Sequence, residues 1–261
     1  MKEELLVKPV RTYRIGETAK NNFGSTMIIK DYNGAKDIVV EFPEYNNWSI
    51  KTSYQQFKNG LIKCPYERRT FGVGFIGEGK YAPKEDGITT RRYEVWRDMI
   101  QRCYNDKMIL KNPSYAECTV CDEWHNFQTF AEWYDNNYYE IPGMRMQLDK
   151  DILNKHNKVY SPNSCIFVPE AINKLFVKAQ RRRGECPMGV HKLKKNSKYR
   201  ADIHMNGKGT TLGTFDTPEE AFTVYKTAKE NYIKEIADRY KDLIPKRLYD
   251  AMYEYEIEYD D

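Results

Sequence analysis

Three groups of residues in this chain have types and spacings suited to chemistry. In Leu148-Asp149-Lys150-Asp151 two carboxylates stand two residues apart. On a strand they would share one face, which suits a metal-binding pair and equally two solvated acids. His156 follows in the loop Asn154-Lys155-His156-Asn157-Lys158, a setting that is ordinarily just exposed. Cys118-Thr119-Val120-Cys121 has the spacing of metal ligands, and Cys103 with Cys165 would complete a tetrahedral Zn²⁺ site. The same thiols would serve as apolar filler, because cysteine is among the most buried residue types. His125, beside Trp124, reads as a packing or capping residue. The third group is electrostatic: ten Lys or Arg lie between Lys178 and Thr214 against Glu185 and Asp202, whereas Asp250 to Asp261 carries six acids and no base. One end attracts phosphate and the other repels it.

The elements that must position these residues form an α+β chain. With 261 residues, 40% hydrophobic and 31% charged, and with 21 Tyr and 11 Phe, it has apolar material for more than one folded unit. From Tyr13 to Phe57 short strand-like runs, TMIIKDY, KDIVVEF and NWSIKTSY, with Asn33-Gly34 as a turn, read as a small β-domain over residues 1–65. Its Tyr45, Trp48, Tyr54 and Phe57 read as core in preference to base-stacking residues. A Gly-, Lys- and Arg-rich linker over 66–87 follows. Val95, Trp96, Met99, Ile100 and Cys103 recur at helical spacing, and Trp124, Phe127, Phe130, Ala131 and Tyr134 repeat the pattern from Glu123 onward. A strand over Met146 to Ile152, a turn through Lys155 to Lys158, a strand over Ser164 to Val168 and a helix opening near Pro169 make a hairpin that feeds a helix. These elements fill a middle domain over 88–178.

A basic linker over 179–188 leads to a last domain over 189–245. KYRADIHM and KGTTLGTF flank the turn Asn206-Gly207, and a third strand is expected at Gly189 to Leu193. The long helix after them starts from Asp216 or Thr217 as N-cap, with Pro218 at its first position and Glu219 and Glu220 in the first turn. With period two, Tyr199, Ala201 and Ile203 face the helix while Arg200, Asp202 and His204 face outward. Lys192, Lys194, Lys198 and Lys208 lie nearby. The acidic stretch over 246–261 alternates Tyr or Ile with acids, which reads as strand-like or disordered and as a competitor for the basic face.

Gly189-Val190, Tyr199, Ala201, Ile203, Leu212-Gly213-Thr214-Phe215, Glu219-Glu220-Ala221 and Ala228 resemble the ERF type of DNA-binding domain, known from plant ethylene-response factors and found fused to phage nucleases. The resemblance implies a three-stranded antiparallel sheet packed on one helix, with the exposed sheet face in the major groove of double-stranded DNA. By matching positions, His191, His204 and Thr211 stand where the plant proteins use Arg or Trp. The implied DNA-binding set is thus His191, Lys192, Lys194, Lys198, Arg200, His204, Lys208 and Thr211.

Arg92 to Phe176 is similar to the HNH-like region of phage and homing endonucleases. The likeness rests on the Trp96 to Cys103 helix, Cys121-Asp122-Glu123-Trp124, Phe130, Leu148-Asp149-Lys150-Asp151, Asn157, Tyr160-Ser161-Pro162, Cys165 and Asn173. It implies a degenerate ββα-metal fold hydrolysing phosphodiesters with Mg²⁺ or Mn²⁺, held by Asp149 and Asn173. The histidine that would take a proton from water is replaced by Lys150, an ammonium at neutral pH, which leaves Asp151 and His156 as candidates for the base. Three readings follow: a metal-dependent DNA endonuclease, a DNA-binding regulator or host-interaction factor that keeps the nuclease scaffold without its chemistry, and a protein-interaction module. MKEELLVKPV lacks a signal-peptide core and no apolar run approaches a membrane span, so the expected location is the cytoplasm, the host's if the chain is phage-encoded. None of these motifs speaks to oligomeric state.

Overall fold

A computed structural model describes residues 14–177, 186–194 and 197–260. The protein is mixed α+β, 35% helical and 26% strand, with several small sheets. It divides into two compact units: the chain through Ala116 together with Val120–Glu132, and Glu117–Thr119 together with the chain from Trp133 onward.

In the first unit β1 (Thr18–Lys20), β2 (Thr26–Gly34), β3 (Asp37–Phe42) and β4 (Trp48–Thr52) form an antiparallel sheet in that order. Alternation puts Met27 and Ile29 of β2 and Ile38, Val40 and Phe42 of β3 on one face, all fully buried with Phe57 of α1 (Tyr54–Lys58). Two local expectations change here. The β2–β3 loop is Ala35-Lys36, and Asn33-Gly34 is instead an irregularity inside β2, where the register shifts between Tyr32 and Gly34 and Gly34 takes φ +138°. The run read as a strand through Tyr54 turns helical because the Ser53 hydroxyl accepts the Gln56 N–H and caps α1.

The stretch read as a linker contains β5 (Lys84–Glu85) and begins a hairpin completed by β6 (Ile88–Thr89). α2 (Arg91–Tyr104) buries Val95, Trp96, Met99, Ile100 and Cys103, as their spacing predicts. After α3 (Asp106–Lys111) and β7 (Thr119–Val120), α4 runs over Phe127–Asn137. It opens later than the periodicity suggests, because Phe75 N–H donates to the His125 carbonyl and its own carbonyl accepts the Phe127 N–H, both at 2.9 Å. Asp122–His125 is consequently a separate 3₁₀ turn.

The second unit contains β8 (Met146–Asp149), β9 (Val159–Tyr160), β10 (Ile166–Pro169), α5 (Glu170–Asn173), β11 (Val190–Lys192), β12 (Tyr199–Met205), β13 (Lys208–Phe215), α6 (Pro218–Tyr240) and α7 (Lys246–Tyr253). β8 and β10 pair antiparallel, with Asp149 opposite Ile166. β11, β12 and β13 form a second antiparallel sheet, with α6 against one face. Thr217 is the N-cap of α6 in a capping box with Glu220, and Pro218 is at the first turn. One buried cluster joins Ile152, Ile166, Val168 and Ile172 of the hairpin region to Val190, Ala201 and Ile203 of the sheet and Ala221, Ile233 and Ala237 of α6. The stretches 88–178 and 189–245 therefore do not each enclose a core of their own: α2 lies in the first unit and the hairpin shares a core with the sheet.

The acidic stretch, expected as strand-like or disordered, opens with the helix α7 and packs on α6. Leu248 and Met252, one turn apart on α7, are fully buried in that same cluster, and Ile257 is 3% exposed. Tyr249 and Tyr253 both donate to the Asp238 carboxylate of α6, at 2.9 and 2.7 Å. The spacing of four between these tyrosines belongs to a helix, a signal hidden by the alternation of the residues that follow. Beyond α7, Lys226 of α6 donates to the Ile257 carbonyl, whose N–H returns a bond to Glu230, both at 2.8 Å.

Candidate functional site

The outward face of β12 is built by strand alternation: Ala201 and Ile203 are buried on α6, leaving Arg200, Asp202 and His204 on the other side. His191 of β11 and Thr214 of β13 stand opposite Arg200. A bulge follows. Ala201 faces Gly213 but Asp202 faces Thr211, so Leu212 has no opposite residue and Thr211 is drawn level with Asp202. The Asp202 carboxylate becomes a hub: Oδ2 accepts from Arg200 Nε at 2.8 Å and lies 2.8 Å from Arg200 Nη2, and Oδ1 accepts from Thr211 Oγ1 at 2.8 Å. His191 Nε2 lies 3.8 Å from the same Oδ2. The type I′ geometry of the β12–β13 turn, with φ +50° at Asn206 and +77° at Gly207, holds the two strands in this register.

Of the eight residues expected at a DNA face, His191, Arg200, His204 and Thr211 lie on this surface. Lys192 does not share it. It stands opposite Tyr199, with Nζ 5.8 Å from that ring, on the side of the sheet that carries α6. Lys208 is paired with Met205, which shares strand parity with Ala201 and Ile203, so it too belongs to the α6 side. Lys198 is 3.0 Å from Asp216, and Lys194 is exposed in the turn after β11. Asp202 is the residue absent from that set. Its signal in the sequence was an acid two residues from an arginine on one strand, which places both on one face.

The carboxylate loop differs from its sequence reading. β8 stops at Asp149 because Asp149 Oδ1 accepts the backbone N–H groups of Asp151 and Ile152, each at 2.8 Å. This Asx turn takes Asp151 off the strand, so the two carboxylates do not share a strand face. Burial pushes the Asp149 carboxyl above the usual carboxylate range, and the Asp151 charge adds to it, against the two N–H bonds. Lys150 is 6% exposed, donates to Asp151 and, at 2.9 Å, to the Asn157 carbonyl, and has Nζ 5.7 Å from the Tyr160 ring. Burial draws the ammonium down, but the Asp151 hydrogen bond and charge outweigh it and hold Lys150 above the ordinary lysine value. It stays a cation and cannot accept a proton from water. Asn157 closes the loop, its amide donating to the Lys150 and Val159 carbonyls at 3.0 and 2.7 Å.

Asn173 donates to Gln147 Oε1 at 2.6 Å, which commits the amide on α5 to β8. His156 sits at φ +62°, with Nε2 3.3 Å from Glu258, and Lys155 approaches the same carboxylate at 3.3 Å while donating to the Glu256 carbonyl at 2.8 Å. The candidate bases Asp151 and His156 are thus engaged with Lys150 and with the C-terminal segment. One Asp149 oxygen caps a turn and the Asn173 amide nitrogen is bound to Gln147, which leaves Asp149 Oδ2 and Asn173 Oδ1 as the oxygens these two residues could offer a metal ion.

Cys103 and Cys121 lie in the first unit, Cys118 and Cys165 in the second; Cys103, Cys118 and Cys165 are buried. No group of three or more His, Cys, Asp or Glu placed to hold a metal ion occurs among the described residues. Burial raises the thiols of Cys118 and Cys121 above their ordinary values. His125 is 8% exposed and packs edge-on against Tyr104, with Arg68 Nη1 3.4 Å from Nδ1. Burial and the Arg68 charge hold its imidazole below the usual histidine value, as befits a neutral packing residue.

Among the described residues no helix is long and apolar enough to cross a membrane. Comparison of the chain with protein-family models, curated proteins and solved structures returned no match.

Proposed function

We propose that this chain binds double-stranded DNA through the exposed face of β11, β12 and β13, in the manner of the ERF-type domains it resembles. In this reading the HNH-like hairpin and α5 serve as a scaffold that does not hydrolyse the backbone. The observation that carries the reading is the convergence of Arg200, His191 and Thr211 on the Asp202 carboxylate within one exposed sheet face. A guanidinium whose Nε edge is held by a carboxylate still presents donors to a partner with two acceptors, and the guanine edge in the major groove is such a partner. Lys194, exposed beside the sheet, and the basic residues between Lys178 and Lys198 supply the phosphate contacts that give affinity without sequence information.

The scaffold half of the reading is supported by Lys150. The residue in the position of the proton-accepting histidine is a buried ammonium tied to Asp151 and Asn157, and one oxygen of the flanking Asp149 caps a turn. The remaining candidate bases, Asp151 and His156, are paired with Lys150 and with Glu258.

The test is fluorescence anisotropy with a mixed-sequence duplex of about 25 base pairs over a salt series, followed by plasmid incubation with Mg²⁺ and Mn²⁺. Binding that weakens steeply with salt is expected, and Lys194→Glu with Arg200→Glu should weaken it at least tenfold and flatten the salt slope by about 0.9 for each phosphate that is no longer neutralised. Unaltered binding by that double variant would move the interface elsewhere. Plasmid nicking that disappears in Asp149→Ala would overturn the scaffold reading and reinstate hydrolysis.

A further inference from the structure

In the first unit a cavity of about 520 Å³ opens beside the β3–β4 loop, lined by Glu44, Tyr45, Asn46, Trp48 and Tyr66. Of the N-terminal aromatics read as core, Phe57 is fully buried, whereas Tyr45 and Trp48 are half-buried and form walls of this cavity. Each wall is braced from behind. The Tyr45 hydroxyl lies 3.4 Å from Ser25 Oγ, and the Trp48 ring packs 5.7 Å from that of Phe42. Tyr66 lies 6.0 Å from the Phe75 ring and donates from its hydroxyl to Glu78 Oε2 at 2.8 Å. Trp48 also stands near enough to the same carboxylate to stabilise its charge, so Glu78 borders two of the three aromatic walls.

Two acids border the aromatic surface, and both are ordered. Glu44 accepts the Thr26 N–H at 2.9 Å and the Thr26 hydroxyl at 2.7 Å. Trp48 and Tyr66 hold the Glu78 carboxyl below the usual carboxylate range, which keeps it ionised. Among the described residues that line it, none is basic. This composition selects by charge. A nucleotide would stack on the rings but bring phosphate towards Glu44 and Glu78, and a neutral apolar group would leave both carboxylates unanswered. A cation is attracted by the ring quadrupoles and by the carboxylates together. The volume exceeds what a lone ammonium group fills and suits a long side chain entering stem and head, with the Asn46 amide at the lip to meet a peptide group.

We propose that this cavity receives a lysine or arginine side chain of a partner polypeptide, its cationic head set among Tyr45, Trp48 and Tyr66 and facing Glu44 and Glu78. The described lining lies wholly in the first unit, and the ligand carries the opposite charge to DNA.

The full chain would be titrated, by calorimetry and tryptophan fluorescence, with Nα-acetyl-lysine methylamide and Nα-acetyl-arginine methylamide, with their neutral counterparts containing Nε-acetyl-lysine and citrulline, with tetramethylammonium and with a short oligothymidylate. Saturable binding of a charged derivative with Kd on the order of 1 mM is expected, with the neutral counterparts at least tenfold weaker. Glu78→Gln, an exposed position that leaves the sheet core untouched, should weaken the charged ligand several-fold at unchanged Tm, and Trp48→Phe should do so to a smaller extent. Equal binding of charged and neutral derivatives, or no saturable binding of either, overturns the proposal. Tetramethylammonium binding more tightly than either derivative would make a free small cation the occupant and overturn the polypeptide assignment, and preference for the oligothymidylate would overturn it by making the cavity a base-stacking site.

Discussion

Asp202 Oδ2 accepts from Arg200 Nε at 2.8 Å and lies 2.8 Å from Nη2 of the same guanidinium. The Asp202 side chain is 19% exposed, so this pair is better shielded than an ordinary surface ion pair. The carboxylate thereby fixes the fork of the residue most suited to reading a base edge, and it also repels phosphate. Asp202→Asn is expected to raise affinity for mixed-sequence duplex several-fold while lowering discrimination for the preferred site about tenfold, the scale of one bidentate base contact. Competition binding against random duplex measures both. Unchanged discrimination would reduce Asp202 to a structural brace for β12 and β13.

Gly189 precedes β11 at φ +74°, and a Cβ there would lie 2.1 Å from the Tyr225 ring of α6. Both the backbone conformation and the ring exclude a side chain. Gly189→Ala should destabilise the second unit by about 2–4 kcal/mol, the sum of left-handed strain and overpacking. Urea denaturation with a midpoint equal to wild type would show that β11 can shift away from α6.

The C-terminal segment packs on α6 through Leu248, Met252 and Ile257. Truncation after Tyr253 removes buried Ile257, its bonds to Lys226 and Glu230, and the pairing of Glu256 and Glu258 with Lys155 and His156. A destabilisation of about 2–4 kcal/mol is expected from the burial and hydrogen bonds removed. Thermal unfolding reports it. On the proposed DNA-binding reading, affinity measured well below the lowered Tm should stay within about twofold of wild type, because that reading puts the salt-dependent phosphate contacts on the basic residues beside the sheet. Marked tightening would instead mean that the segment reaches the sheet face.

Lys229 on α6 is 9% exposed, and burial alone lowers its ammonium below the ordinary value of 10.5. The sign follows from linkage: a lysine whose folded value is lowered disfavours the folded state while it is charged. That penalty is fully present below the folded value and fades as pH rises towards 10.5. Lys229→Met should raise Tm by about 2–4 °C at neutral pH, and the gain should shrink through alkaline pH. A pH-independent gain would mean that methionine acts by packing alone.

The cores of individual elements were legible in the chain because they depend on local periodicity. Val95 to Cys103 of α2, Ala201 and Ile203 of β12, the Thr217 cap with Pro218 on α6, and the Asn206-Gly207 turn all follow from spacing and backbone preference within a few residues. The outward position of Arg200 and Asp202 follows from the same rule. Less legible was any feature in which a distant backbone group wins a local competition, as where the two Phe75 hydrogen bonds delay the start of α4.

Sequence alone therefore determined which residues are apolar partners within an element, which strand residues share a face, and where charge concentrates. Only the tertiary structure decided that Asp149 caps a turn, that Lys150 is a buried and paired ammonium, that the bulge at Leu212 draws Thr211 to Asp202, and that the acidic end folds onto α6. The physical reason is range. Period and propensity act over three or four residues, whereas desolvation, hydrogen-bond partners and the side of a sheet on which a lysine emerges depend on groups brought together from far along the chain.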